Sequence, residues 1–271
     1  MIDPGHIPLE EFANGIVART WRGPRESILW IHGYTIDSSS WVEIWSHLPA
    51  WTHIGVDLPG HGRSAAVRPM ASLRKLGETL AEAALREGVR HVVGLSLGSL
   101  IALEVVLARP NAFATLTMAA PALGRGPVEA SVGARFLELQ EMYRQRGPGP
   151  WMTELWMRCP PDTFAHAPQS LHVRLATLID RHTWSEFDSP NFGIAGFAYN
   201  SQNVSGLARS TARLLILIGE KELEAFRKTA AILQAICPDA IVVELPGAGH
   251  LCLLQSPEHS AELMAKHWQS V

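Results

Sequence analysis

Short apolar runs alternate with longer stretches of helical periodicity along most of the chain. Residues 15–19, 27–31, 52–56, 91–95, 116–120, 214–218 and 241–245 are apolar runs of strand length, bounded by glycine, proline or polar clusters. They predict strands. Leu73, Leu76, Leu80 and Ala84 fall on one face of a helix. Residues 97–108 are apolar nearly all round, as a helix buried against a sheet must be. Residues 225–235 and 257–268 predict two further helices. This alternation is the mark of βαβ units, and it predicts the α/β class with a mostly parallel central sheet flanked by helices.

Residues 123–208 break the alternation. Segments 128–144, 151–157 and 169–181 have helical character, Gly147-Pro148-Gly149-Pro150 and Pro160-Pro161 punctuate them, and no strand pattern occurs. The expected organisation is a core of residues 1–122 and 209–271 with a helical cap of residues 123–208 inserted into it. Trp151, Met152, Trp156 and Met157 would line a substrate pocket there or form the cap's own small core.

Composition narrows the class. Apolar residues make up 47% and charged ones 18%, which suits a large core and excludes extended disorder. The net charge is −3 with no basic run, so neither nucleic acid nor an anionic membrane is an expected partner. No apolar stretch has the length of a membrane span. The N-terminus, MIDPGHIPLEEF, lacks the basic region of a secretory signal. Cys159, Cys237 and Cys252 match no metal or redox spacing, and the expectation is reduced thiols in a cytoplasmic protein.

Gly94-Leu95-Ser96-Leu97-Gly98 matches G-x-S-x-G between a predicted strand and a predicted helix, the setting of a nucleophile on a tight turn. His32-Gly33-Tyr34 ends an earlier strand. Acyl transfer develops an oxyanion that needs preplaced donors, and the N–H groups of Tyr34 and Leu97 are the candidates. Asp57-Leu58-Pro59-Gly60-His61-Gly62-Arg63-Ser64 follows another strand, and Asp57 and His61 read as residues that hold a loop. His250, in Gly247-Ala248-Gly249-His250, follows the last strand and is the candidate base. A serine hydroxyl needs such an imidazole to accept its proton. His6, His53, His166, His172, His182, His259 and His267 read as surface or helix residues. The acid that orients His250 should follow the strand at 214–218, where either Glu220 or Glu222 could serve; Glu222 is preferred.

Together these blocks resemble the α/β-hydrolase superfamily over nearly the whole chain. ILWIHGYTIDSSSW is similar to its oxyanion strand and loop, VDLPGHGRS to its next turn, and VVGLSLGSL to its nucleophile elbow. LLILIGEKE is similar to its acid strand, and LPGAGHLCLLQSPE to its histidine loop. GEKELEAFRKTA further resembles the branch containing the menaquinone-pathway synthase, pimeloyl-ester esterase and related small acyl hydrolases. The resemblance implies a triad of Ser96, Glu222 and His250 and a cap that sets the substrate. Two positions depart from the usual pattern: glutamate stands at 222 where aspartate is usual, and Ser99 stands where a second glycine is common.

The expected activity is that of a serine hydrolase cleaving an ester or thioester with an apolar acyl or alcohol part, free or carrier-bound. No metal or cofactor is expected. Two alternatives use the same fold. One is a biosynthetic lyase in which Ser96 and His250 expel a carboxylate. The other is a ligand-binding protein without activity.

Overall fold

The computed structural model describes residues 6–66, 72–188 and 193–270. Among the described residues, eight strands form one sheet in the order β1-β2-β4-β3-β5-β6-β7-β8: β1 is Leu9–Ala13, β2 Ile16–Trp21, β3 Ser27–Ile31, β4 Thr52–Val56, β5 Val89–Leu95, β6 Thr115–Ala119, β7 Arg213–Gly219 and β8 Ile241–Leu245. Strands β3 to β8 run parallel; β2 pairs antiparallel with both β4 and β1. The seven predicted strands are all present. β1 is an addition. Its sequence, LEEFA, carries two glutamates because it is an exposed edge strand, and the Asn14-Gly15 turn folds it onto β2.

Helices cover both faces of the sheet. α1 (Val42–Ser46) follows β3; α2 (Leu73–Arg86) and α3 (Leu97–Ala108) flank β5. α2 buries Leu73, Leu76, Leu80 and Ala84, the face read from the periodicity, and the Ser72 hydroxyl accepts from the Lys75 N–H at its first turn. α3 is buried on nearly every side between α2 and the sheet, which its uniformly apolar sequence requires. α4 (Ala130–Arg146), α5 (Pro150–Trp156) and α6 (Gln169–Ile179) lie between β6 and β7. The described residues of that insertion hold helices and 3₁₀ turns but no strand. α7 (Glu224–Ile236), α8 (Cys252–Gln255) and α9 (Pro257–Trp268) complete the chain.

Both ends of the insertion are tied to the core. Ser99 Oγ accepts from the Ala122 N–H where the chain leaves β6. On return, the Thr211 N–H donates to Pro110 O and the Arg213 N–H to Ala114 O.

One face of the sheet is packed with tryptophan. Trp30, Trp41, Trp45, Trp51 and Trp268 are buried there. His53, expected at the surface or on a helix, is instead fully buried on β4. Its Nδ1 accepts from the Trp30 indole N–H at 3.1 Å, its Nε2 donates to Leu48 O, and Trp45 stacks on its ring. A buried indole needs an acceptor, and His53 supplies it.

Candidate active site

Ser96 lies between the end of β5 and the start of α3 with φ 54°. Positive φ is strained for a serine and persists only where the surroundings over-determine it. The backbone crowds tightly there. A Cβ on Gly94 would stand 2.4 Å from Gly98 O, and one on Gly98 would stand 2.1 Å from Ile31 O. Glycine at both places is therefore a steric requirement of the turn. Ser99, the departure from the family pattern, is buried; its hydroxyl donates to Ser96 O at 2.6 Å and accepts from the Ala122 N–H at 2.8 Å. The serine thus adds a brace that glycine would not provide.

Glu222 and His250 meet because the ends of β7 and β8 press together. A Cβ on Gly219 would lie 2.3 Å from Gly249 O, and the Lys221 N–H donates to Ala248 O. His250 Nδ1 donates to Glu222 Oε1 at 2.8 Å, and its Nε2 stands 2.8 Å from Ser96 Oγ. Glu222 Oε1 also accepts from the Leu223 N–H at 2.8 Å, just before α7. Glutamate's longer arm is thus seated against the start of that helix, and Phe226 from α7 packs on the His250 ring. Glu220 is exposed and accepts from the Gly247 N–H instead. Both Glu222 and His250 are buried.

Ser96 opens onto a cavity of about 280 Å³ whose walls include Tyr34, Leu97, Phe136, Trp156, Phe164 and Phe226. The charged residues among its described lining are Arg125 and Glu129. Of the four apolar candidates in the insertion, Trp156 alone lines this cavity. Met152 is completely buried in the core, and Met157 packs on the same core. The Trp151 indole covers Gly149, donates to Gly147 O and carries the Arg146 guanidinium over its ring. Successive residues of a helix point to different sides, so one short amphipathic segment presents only part of its apolar set to a pocket.

The loop after β3 is held by side chains. His32 Nδ1 donates to Gly33 O, and its Nε2 accepts from the Leu58 N–H. His61 Nε2 accepts from the Thr35 N–H. Burial holds both imidazoles below their ordinary range, and therefore neutral. Asp57 accepts from the Ser38 and Arg63 N–H groups, so Asp57 and His61 hold loops, as the sequence suggested. The Tyr34 hydroxyl donates to Glu186, which also takes a hydrogen bond from His182 Nε2 at 3.0 Å. Burial and the neighbouring carboxylate push the Tyr34 phenol well up, so the proton stays on tyrosine. His182 is thus buried, where the sequence suggested surface or helix: it lies just beyond α6 and contacts the His61 ring at 4.4 Å. Glu186 went unread because no spacing links it to Tyr34, 152 residues away.

With this geometry in view, the comparison with known families is direct. The model of the alpha/beta hydrolase family matches residues 28–264, and the chain belongs to that family. It is 38% identical over 104 residues to a pimeloyl-[acyl-carrier protein] methyl ester esterase of Methylococcus capsulatus, covering 36% of this chain and 37% of that one. It is 33% identical over 81 residues to a 2-succinyl-6-hydroxy-2,4-cyclohexadiene-1-carboxylate synthase of Serratia proteamaculans, covering 29% and 31%. The first curated relatives are spanned over between about a third and less than two thirds of their length. Among solved structures, a carboxylesterase of Nitrososphaera gargenis superposes with TM-score 0.79 at 14% identity over 97% of this chain and 98% of that one. MenH of S. aureus does so with TM-score 0.76 at 14% identity, over 93% and 98%. At such identities these likenesses establish the fold.

Proposed function

We propose that the chain is a serine hydrolase that cleaves an ester or thioester through an acyl-enzyme on Ser96. The observation that carries the reading is the unbroken line from Ser96 Oγ to His250 Nε2 and from His250 Nδ1 to Glu222 Oε1, each step 2.8 Å. In this reading Ser96 attacks the carbonyl carbon while His250 takes its proton and then returns it to the leaving group. Glu222 accepts the Nδ1–H, which leaves the Nε2 lone pair facing Ser96. The N–H groups of Tyr34 and Leu97 receive the oxyanion. Residues 123–208 act as a cap over the site. The apolar cavity suits an apolar acyl or alcohol part, and likeness to an esterase of a carrier-bound ester supports substrates free or carrier-bound. Three unpaired cysteines suit a reducing, cytoplasmic setting.

A fluorophosphonate probe tests this reading. It should label Ser96 stoichiometrically and leave Ser96→Ala unlabelled, with turnover lowered roughly 10⁵- to 10⁶-fold. Labelling at another residue, or retained turnover in the alanine variant, contradicts it. A second reading, elimination of a carboxylate by the Ser96–His250 pair, is favoured by the likeness to the synthase. Substrate turnover in ¹⁸O-water separates the two: hydrolysis places one label in the released acid, and elimination places none.

A further inference from the structure

The loop that carries the Tyr34 N–H is anchored almost everywhere except at that N–H. Gly33 O is held by His32, the Thr35 N–H by His61, and the Thr35 hydroxyl donates to Tyr34 O at 2.6 Å. Two further anchors cross from the insertion. The Trp156 indole donates to Thr35 Oγ1 at 2.9 Å, and Glu186 takes the Tyr34 hydroxyl proton in a hydrogen bond. Glu186 is itself 6% exposed, and His182 Nε2 meets the same carboxylate oxygen, Oε1, that accepts from the Tyr34 hydroxyl. The Tyr34 ring stands edge-on to Trp156, His182 and Trp184, all from the insertion. Thr35 adopts φ 67°, a backbone setting that such anchoring must maintain.

We propose that Glu186 is a positioning residue that couples the insertion to the oxyanion site by clamping the Tyr34 hydroxyl, so that the Tyr34 N–H is aimed only when the insertion is seated. This inference rests on the hydrolase reading above. Glu186 touches no reacting atom. It acts through a rigid aromatic lever, whose hydroxyl lies in the insertion and whose backbone N–H faces the oxyanion. Trp156 completes the coupling, because it lines the cavity and holds Thr35 at once. A substrate that packs against Trp156 therefore steadies the loop that will receive its oxyanion, which is binding energy expressed at the transition state.

The test compares Glu186→Ala, Glu186→Gln, Tyr34→Phe and the Glu186→Ala/Tyr34→Phe double variant on a simple ester, alongside affinity for a trifluoromethyl ketone. Tyr34→Phe keeps the backbone N–H and removes only the hydroxyl. Loss of a whole oxyanion donor costs roughly 10²- to 10³-fold, so a misaimed one should cost roughly tenfold. The expected result is a tenfold fall in kcat at nearly constant KM in Glu186→Ala and in Tyr34→Phe, with no further fall in the double variant. Affinity for the ketone, which forms a tetrahedral adduct, should fall in step. Glu186→Gln keeps an acceptor oxygen and should recover most of the loss. Unchanged kcat and ketone affinity in Tyr34→Phe overturns the clamp, even if Glu186→Ala fails to fold. If the wild-type chain neither turns over an ester nor reacts with a fluorophosphonate, the hydrolase reading itself falls. Normal labelling with an indifferent Tyr34→Phe sinks the clamp alone.

Discussion

The two halves of the site are built by different means. Ser96, His250 and Glu222 are held by backbone pressed on backbone: Gly94 against Gly98, Gly98 against Ile31, and Gly219 against Gly249. The loop carrying Tyr34 is held by side chains, His32 and His61 in the core and Glu186 and Trp156 in the insertion. Backbone contact tolerates almost no change of residue and writes itself into short motifs. Side-chain anchoring can join residues far apart in sequence, as it joins Tyr34 to Glu186, and such a pair leaves no local signature.

The largest expected effect tests the backbone-built half. Glu222→Gln should fold normally and lose about 10⁴-fold in kcat, as loss of the orienting acid does in well-studied triads. Glu220→Gln should stay within a few-fold, since the Glu220 carboxylate accepts from the Gly247 N–H rather than from His250. Steady-state kinetics on one ester decide it, and a reversed order of severity would return the role to Glu220.

Next comes Gly98→Ala. Its methyl would meet Ile31 O at 2.1 Å and His32 O at 2.4 Å, backbone atoms that cannot turn aside. A loss of about 3–5 kcal/mol is expected, read from the urea midpoint. A loss under about 1 kcal/mol would mean that the two loops slide apart easily, and the contrast drawn here would collapse.

Acid should loosen the side-chain-built half and the tryptophan-rich core together. His32 and His61, buried and neutral, hold its loop, and burial likewise lowers His53 and His91 to about 4 in the tryptophan-rich core. Each folded-state value lies below the unfolded one near 6.5, so the unfolded chain binds more protons. Stability is therefore complete above about pH 6.5 and falls as pH drops below it, by up to about 1.4 kcal/mol per pH unit for each such histidine. Urea midpoints at pH 7, 6 and 5 should decline steadily. A flat profile would mean that these imidazoles charge within the fold.

The smallest effect belongs to Trp156→Ala. KM for a bulky acyl ester should rise about tenfold more than for an acetyl ester, because the lost wall is remote from the reacting carbon. The acetyl ester should still lose a few-fold in kcat, since Thr35 loses its indole donor. A change in thermal stability alone, with both esters unaffected, would assign Trp156 to packing.

The same contrast explains what could be read from the amino acids. The inner strands β3 to β7 and the elbow were legible because burial demands apolar runs, and crowding demands glycine at 94 and 98; β8, an edge strand, was legible from its own apolar run at 241–243. Glu222 was preferred over Glu220 from its place three residues beyond Gly219. β1 was missed because an exposed edge strand has no core face to make it apolar. The Tyr34–Glu186–His182 cluster was missed because only folding brings Tyr34 to the neighbouring pair His182 and Glu186. Histidine, too, looks alike in sequence whether it faces solvent or serves a buried indole, as His53 does.

Ser99 has a consequence for how such chains diversify. Its hydroxyl joins the elbow to Ala122, while Thr211 and Arg213 fasten the returning chain to the segment after α3. The insertion thus leaves and rejoins at two pinned points, like a module on fixed connectors. Its helices could lengthen, shorten or be exchanged between those points without moving Ser96. Natural variation or recombination after Ala122 and before Thr211 would then alter the cavity wall while leaving Ser96 where it was.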